Sequence, residues 1–320
     1  MSGLITKYKL FKKRISQIDE LSGKVDDLQK AIGRIELRQL NLKPQFTQPL
    51  HQYEFKVFSQ WGEDGIIQFL INKIRIDNKV FIEFGVQDYK ESNTRFLLQN
   101  DNWAGLIIDA SSDNVKTVMN DPVYYRNQLN AICAFIDKDN INELISSNGI
   151  VGDIGLLSID IDGNDYWIWE AIDCINPRIV ICEYDSLLGY ERAVTTPYDK
   201  NFERTKAHYS FLYGGSSIAA LHKLAVRKGY TLVGSNSAGN NAFFVRTDVL
   251  GNIASLSPEL AYVKAQFRNS KDQNGNLTFL NFEDSLKLIG DMSMYDVEKN
   301  SLIKVRDIRK SHIGISDNNG

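Results

Sequence analysis

The sequence predicts an α/β fold built on a mostly parallel sheet. Short apolar runs of strand length recur at 80–84, 103–108, 156–161 and 178–182. Segments of helical period lie between them, which is the alternation that builds parallel sheets. The runs also carry acids at or near their ends: Glu83, Asp109, Asp160 with Asp162, and Glu183 with Asp185. Acids there are costly to bury unpaired, and the carboxyl edge of such a sheet is where ligands bind.

A chain of 320 residues holds one large domain of this kind with additions. Its net charge of -3 gives no electrostatic case for nucleic acid. Cys133, Cys174 and Cys182 lie in apolar surroundings without CxxC spacing and read as buried thiols of a reduced, cytoplasmic protein. No run is long enough for a transmembrane segment, and no signal peptide is evident.

The chain divides into a helix at 1–43, a linker at 44–56 containing Pro44 and Pro49, a sheet domain at 57–250 and a C-terminal extension at 251–320. Ile18, Leu21, Val25, Leu28, Ile32 and Ile35 follow a 3-4-3-4-3 spacing. β-Branched residues at a with leucine at d favour a parallel two-stranded coiled coil, so a homo-oligomer is expected. The alternative is a stripe packed on the helix's own domain. Gly23 and Gly33 each cost the helix about 1 kcal/mol against alanine. The basic start, Lys7, Lys9, Lys12, Lys13 and Arg14, reads first as a solvated helix end, with contact to an anionic membrane surface the weaker reading.

Residues 59–74 read as a helix capped at Ser59, followed by the strand 80–84, Gly85 and a helix from Asn93. One glycine, without GxGxxG, disfavours a pyrophosphate cofactor. Asp109 ends the second strand, where an acid grips a ribose diol; equally, it or Ser111 caps the next helix. A third strand lies within 123–136 but is poorly patterned. In 155–171, Asp160 and Asp162 end the fourth strand on one face, as ligand or metal groups or as turn formers with Gly163. Glu183 and Asp185 end the fifth. Residues 186–216 are long, polar and aromatic, and read as a substrate lid or wall. Ser216 or Ser217 opens a helix ending at Gly229, and strands at 230–233 and 242–245 pair antiparallel. Residues 260–267 look helical, and the tail from Ser311 is polar and loose.

The motifs FIEFGV, GLIIDAS, LLSIDIDGNDYWIW, VICEYD and NNAFFV, in this order over about residues 57–247, resemble the FkbM-like branch of the class I S-adenosylmethionine-dependent methyltransferases. The resemblance implies a Rossmann-like seven-stranded sheet and S-adenosylmethionine as cofactor. It places Glu83 and Gly85 near the methionine part, Asp109 on the ribose, and Asp160 at the cofactor as part of the IDIEG-type motif, here IDIDG. It also implies methylation of sugar hydroxyls in glycans or small molecules.

Two routes for the acceptor proton stay open. His208, alone among histidines in the lid, is a general base; or Asp160, Asp162, Glu183 and Asp185 supply ligands to Mg²⁺. Tyr198, His208, Tyr209 and Tyr213 line the acceptor side, or merely pack the loop. The rivals are a Mg²⁺-dependent nucleotide-sugar or phosphoryl enzyme using Arg178, Arg192, Arg204 and Lys206, and a non-catalytic scaffold with a degenerate methyltransferase domain.

Overall fold

The computed structural model describes residues 2–42, 49–266 and 270–308. In chain order it forms α1 (Ser2–Leu42), α2 (Glu63–Lys73), β1 (Val80–Phe84), α3 (Arg95–Asn100), β2 (Ala104–Asp109), α4 (Ser112–Asn120), α5 (Pro122–Arg126) and β3 (Leu129–Cys133). Then follow α6 (Ile141–Ser146), β4 (Gly152–Ile159), α7 (Asp165–Ala171), β5 (Ile175–Glu183), β6 (Val194–Thr195), α8 (Arg204–Ala207) and α9 (Ile218–Arg227). The chain closes with β7 (Tyr230–Ser235), β8 (Asn241–Arg246), α10 (Pro258–Ala261), α11 (Phe282–Leu288), β9 (Ser293–Asp296) and β10 (Ser301–Lys304).

Seven strands make one sheet in the order β3-β2-β1-β4-β5-β8-β7. β8 runs antiparallel to both neighbours, and the remaining pairings are parallel. Alternation along each strand sorts side chains to two covered faces. Ile82, Phe84, Leu157, Ile159, Val180 and Phe244 fill one face; Phe81, Leu156, Ile179, Ile181 and Phe243 fill the other. Continuous apolar runs are what such two-sided burial requires. The strand order reverses between β1 and β4, so the carboxyl ends of these strands open a crevice between diverging connections. A small antiparallel sheet, β10-β9-β6, ties the segment after β5 to the C-terminal extension.

The third strand lies within its expected window, and Ser217 caps α9 by accepting from the Ala220 N–H. Other expectations are corrected. α2 starts at Glu63, not Ser59, because residues 57–59 turn their N–H groups onto Asp64 Oδ2 at 2.7, 2.8 and 2.8 Å. The end of the supposed linker belongs to the core: Leu50 and Tyr53 are buried, and Tyr53 stacks on Phe69 at 3.8 Å between centroids. The helix expected at 260–267 shrinks to the one-turn α10, after which residues 262–266 run without helix. Cys133 is exposed and Cys174 half-buried; Cys182 is buried as expected. The loose tail falls outside the described residues. Among the described residues, no helix is long and apolar enough to cross a membrane.

Candidate active site

A cleft of about 980 Å³ lies over the carboxyl ends of β1, β2, β4 and β5. Its floor holds Gly85, Asp109, Asp160 and Glu183, and its far wall comes from residues 202–215, 264–266 and 270–285. The long segment after β5 is therefore a wall, as expected, and the C-terminal extension completes it.

On the β1–β2 side, Gly85 adopts φ +71° and its N–H donates to Ile108 O at 3.0 Å. Asp109 Oδ2 accepts from the Gln87 N–H at 2.8 Å, while Oδ1 accepts from the Ser111 N–H at 2.8 Å and Asn114 Nδ2 at 3.1 Å. The helix-start role is thus realised, with Ser111 as the cap of α4. A carboxylate has about four acceptor sites, so Asp109 keeps capacity toward the cleft it lines. Phe135 stands beside it, 47% exposed on the cleft wall.

Glu83 does not line the cleft. Its oxygens accept from Ser92 Oγ at 2.6 Å, Thr94 Oγ1 at 2.5 Å and the Asn93 N–H at 2.9 Å. Burial pushes its carboxyl up against those bonds. Its place in the odd register of β1 sends it to the loop that follows, which it pins.

On the β4–β5 side, one ligand atom from each of Asp160, Asp165 and Glu183 falls within 4.8 Å of the others. Asp160 opens onto the cleft, Glu183 is half-buried and Asp165 is buried. Desolvation by the surrounding cleft walls first, then the charges of Asp165 and Asp162, push the Asp160 carboxyl up to about 8 although it opens onto the cleft. Burial and then Asp160 hold Glu183 well above the usual carboxylate range. Burial lifts both Asp165 and Asp185 to about 6. Asp165 is anchored by the Ile161 and Gly163 N–H groups at 2.9 and 3.0 Å. Arg204 faces these acids, with Nη1 3.5 Å from Asp162 Oδ1 and Nε donating to Phe211 O at 2.8 Å. Burial opposes its charge, but Glu183, Asp185, Asp162 and Asp160 hold its pKa above the ordinary value. Two buried acceptors of the cleft lining, Asn164 Oδ1 and Asp185 Oδ2, have no hydrogen-bond partner.

Asp162 does not join the cluster. β4 stops at Ile159 and Asp162 takes φ +61°, so the same-face alternation of a continuing strand is lost and Asp165 takes its place. Asp185 caps the turn at Ser186–Leu188 through its Oδ1. The four residues expected on the acceptor side also lie away from the cleft lining. The Tyr198 hydroxyl accepts from the Lys138 N–H at 3.1 Å, and the Tyr213 hydroxyl donates to Ser293 O at 2.5 Å. His208 Nδ1 is held by Ser210 Oγ at 2.7 Å and its ring stacks on Tyr209 at 4.4 Å. Phe202, Arg204 and Phe211 of the same segment take those places, joined by Lys264, Asn281 and Phe282. Nothing local distinguishes Arg204: Tyr190-Glu191-Arg192 and Phe202-Glu203-Arg204 have the same character, yet Arg192 pairs with Asp296 at 2.9 Å instead. Arg178 pairs with Asp77 and Asp153, each at 2.8 Å, and Lys206 with Glu203 at 2.6 Å. Of the four bases expected around a phosphate, only Arg204 reaches the cleft.

A seven-stranded sheet with this order and an antiparallel β8, carrying its cleft at the β1–β4 switch, has the Rossmann-like class I methyltransferase fold. Similar solved structures include the N-terminal domain of EvdMO1 with SAH bound, at 10% identity and TM-score 0.39, covering 67% of this chain and 94% of that one. An O-methyltransferase from Bacillus cereus in complex with SAH has 13% identity and TM-score 0.38, covering 68% and 88%. A putative O-methyltransferase from Klebsiella pneumoniae has 12% identity and TM-score 0.33, covering 69% and 87%. No protein-family profile matches the sequence. No curated protein matches it.

Proposed function

We propose that this protein is an S-adenosylmethionine-dependent O-methyltransferase of the FkbM-like branch, acting on a sugar hydroxyl of a glycan or nucleotide-linked sugar. The observation that carries the reading is the chemistry of the β4–β5 floor. Asp160, Asp165, Glu183, Asp185 Oδ2 and Asn164 Oδ1 crowd hydrogen-bond acceptors into one place, with Arg204 as the facing cation. Hydroxyl groups suit such a floor because each can donate to an ionised acid and accept from a protonated one, which favours a polyol. Phe202, Phe211 and Phe282 offer apolar surface for the C–H patches of a sugar ring.

The residues present fit the cofactor. Asp109 faces the cleft with acceptor capacity for a ribose diol, and the exposed ring of Phe135 beside it suits an adenine face. S-Adenosylmethionine, when bound, supplies the methyl group. The chain's own work is to orient the acceptor, exclude water and take its proton. Asp160 and Glu183 have the raised proton affinity that a base needs, and they replace His208 in that role.

A second reading rests on the spacing of Asp160, Asp165 and Glu183: three carboxylates this close suit a hard cation such as Mg²⁺, which would activate the substrate oxygen without a protein base. Calorimetry with S-adenosylhomocysteine, followed by labelled methyl transfer to nucleotide sugars and glycan extracts with and without EDTA, tests both. Binding and transfer to a sugar support the proposal. Loss of turnover in EDTA selects the metal route, and transfer to protein, lipid or nucleic acid overturns the substrate class.

A further inference from the structure

We infer that two copies of this chain pair in parallel through α1, while each copy's own domain docks on the opposite face of that helix. The docked face runs from Asp26 to Leu40. Asp26 lies 3.5 Å from the buried Arg95, Arg34 Nε donates to Asn100 Oδ1 at 2.8 Å, and Leu37 and Leu40 join the core on one side of the sheet. Gly33 marks the closest approach: a β-carbon there would lie 2.5 Å from Val57 Cγ2.

The heptad stripe faces the other way. Ile18, Leu21, Val25, Leu28, Ile32 and Ile35 are all exposed, from 47% at Val25 to 65% at Ile18, and Arg14 at the preceding d position ends the seam. Their own domain cannot cover them, because it already occupies the b and f positions, including Gly33 and Leu37. Gly23 at f and Gly33 at b lie off the seam. A contiguous apolar stripe of this length on a helix marks an interaction surface.

The occupant is a second copy because the stripe is self-complementary. Ile18, Val25 and Ile32 at a with Leu21 and Leu28 at d are the pattern of parallel two-stranded coils, each side chain filling a hole between four of its mates. In that register the flanking g and e′ positions bring Lys24 to Gln29 and Ala31 to Glu36, with no like-charge pair. Six such side chains from each copy put the buried surface on the order of 1,200 Å², within the range of specific interfaces.

Light scattering on the full-length protein tests the pairing. Wild-type protein should be a dimer, and Leu21→Lys with Leu28→Lys should give a monomer whose domain melts at the wild-type temperature, since neither residue touches the domain. With the exposed Cys133 replaced by serine, Ile18→Cys should form a covalent dimer on mild oxidation that the Cys133→Ser parent does not, because a faces a′ only in a parallel seam. A monomeric wild-type protein, or a dimer that survives the double substitution, overturns the inference. A dimer lost on double substitution but never captured at Ile18→Cys overturns the parallel arrangement. Monomeric wild-type protein that sediments with phosphatidylserine vesicles would assign the stripe to a membrane instead.

Discussion

Gly85 and Asp160 join the two halves of the cleft. The Gly85 α-carbon packs so tightly on the Asp160 carbonyl that a β-carbon would lie 1.7 Å from that oxygen. The loop after β1 and the acid-bearing turn after β4 are thereby set in register by backbone contact. Gly85→Ala meets this contact and a φ of +71° together. It should destabilise the protein by about 1–3 kcal/mol from backbone strain alone. Thermal melting checks the loss, and calorimetry with S-adenosylhomocysteine should show weakened binding in whatever remains folded.

Asp109 is both a turn organiser and the proposed ribose ligand, so its two roles need separate variants. Asp109→Ala should weaken S-adenosylhomocysteine binding by roughly 1–3 kcal/mol, the range for losing a charged hydrogen-bond partner. It should also lower the melting temperature, because the Gln87 and Ser111 N–H groups lose their acceptor. Asn114→Ala removes a turn contact without touching the cleft carboxylate's charge. It should cost some stability and leave affinity near wild type; equal losses of affinity in both variants would reject the ribose role.

The acid floor gives stability an unusual slope with pH. Carboxyls ordinarily fall in pKa on folding; here Asp160 rises to about 8, and Asp165 and Asp185 to about 6, from 3.8. Between those limits the folded state binds more protons than the unfolded one, so stability is highest below the unfolded value and is lost as pH rises through the folded values. Melting temperature should fall from pH 5 to pH 8.5 in EDTA, and Asp160→Asn should flatten the upper part of that fall. Divalent cation should restore stability at the alkaline end if the cluster binds it. A melting temperature that climbs with pH would contradict the placement of these acids.

Activity should follow the cleft, not the lid tyrosines. If a carboxylate is the base, Glu183→Gln or Asp160→Asn should lower kcat by about 10²–10⁴-fold, the contribution of positioned proton transfer. His208→Ala should stay near wild type, since its ring is spent on Ser210 and Tyr209. Steady-state rates with the methyl acceptor decide this. A collapse in His208→Ala with wild-type rates in both acid variants would return the base to the lid.

Most of the sheet was legible because its strands are buried on both faces, and uninterrupted apolar runs closed by acids are a local signal. Val80–Phe84, the run into Asp109, and the strands before Asp160 and Glu183 could be read that way, as could the antiparallel last pair. The 3-4 spacing in α1 likewise stated which face is apolar. What residue order could not state is where each side chain points once the strand has ended. Asp162 left the cluster because one left-handed residue redirected it, and Asp165 entered from the next helix. The far wall of the cleft needed segments far apart in the chain to come together, so Arg204 and Phe282 line one cleft over a floor that neither is near in sequence. Tyr198, His208 and Tyr213 share the composition of a sugar site, but each found a partner elsewhere, and that choice among equivalent polar groups is made by packing.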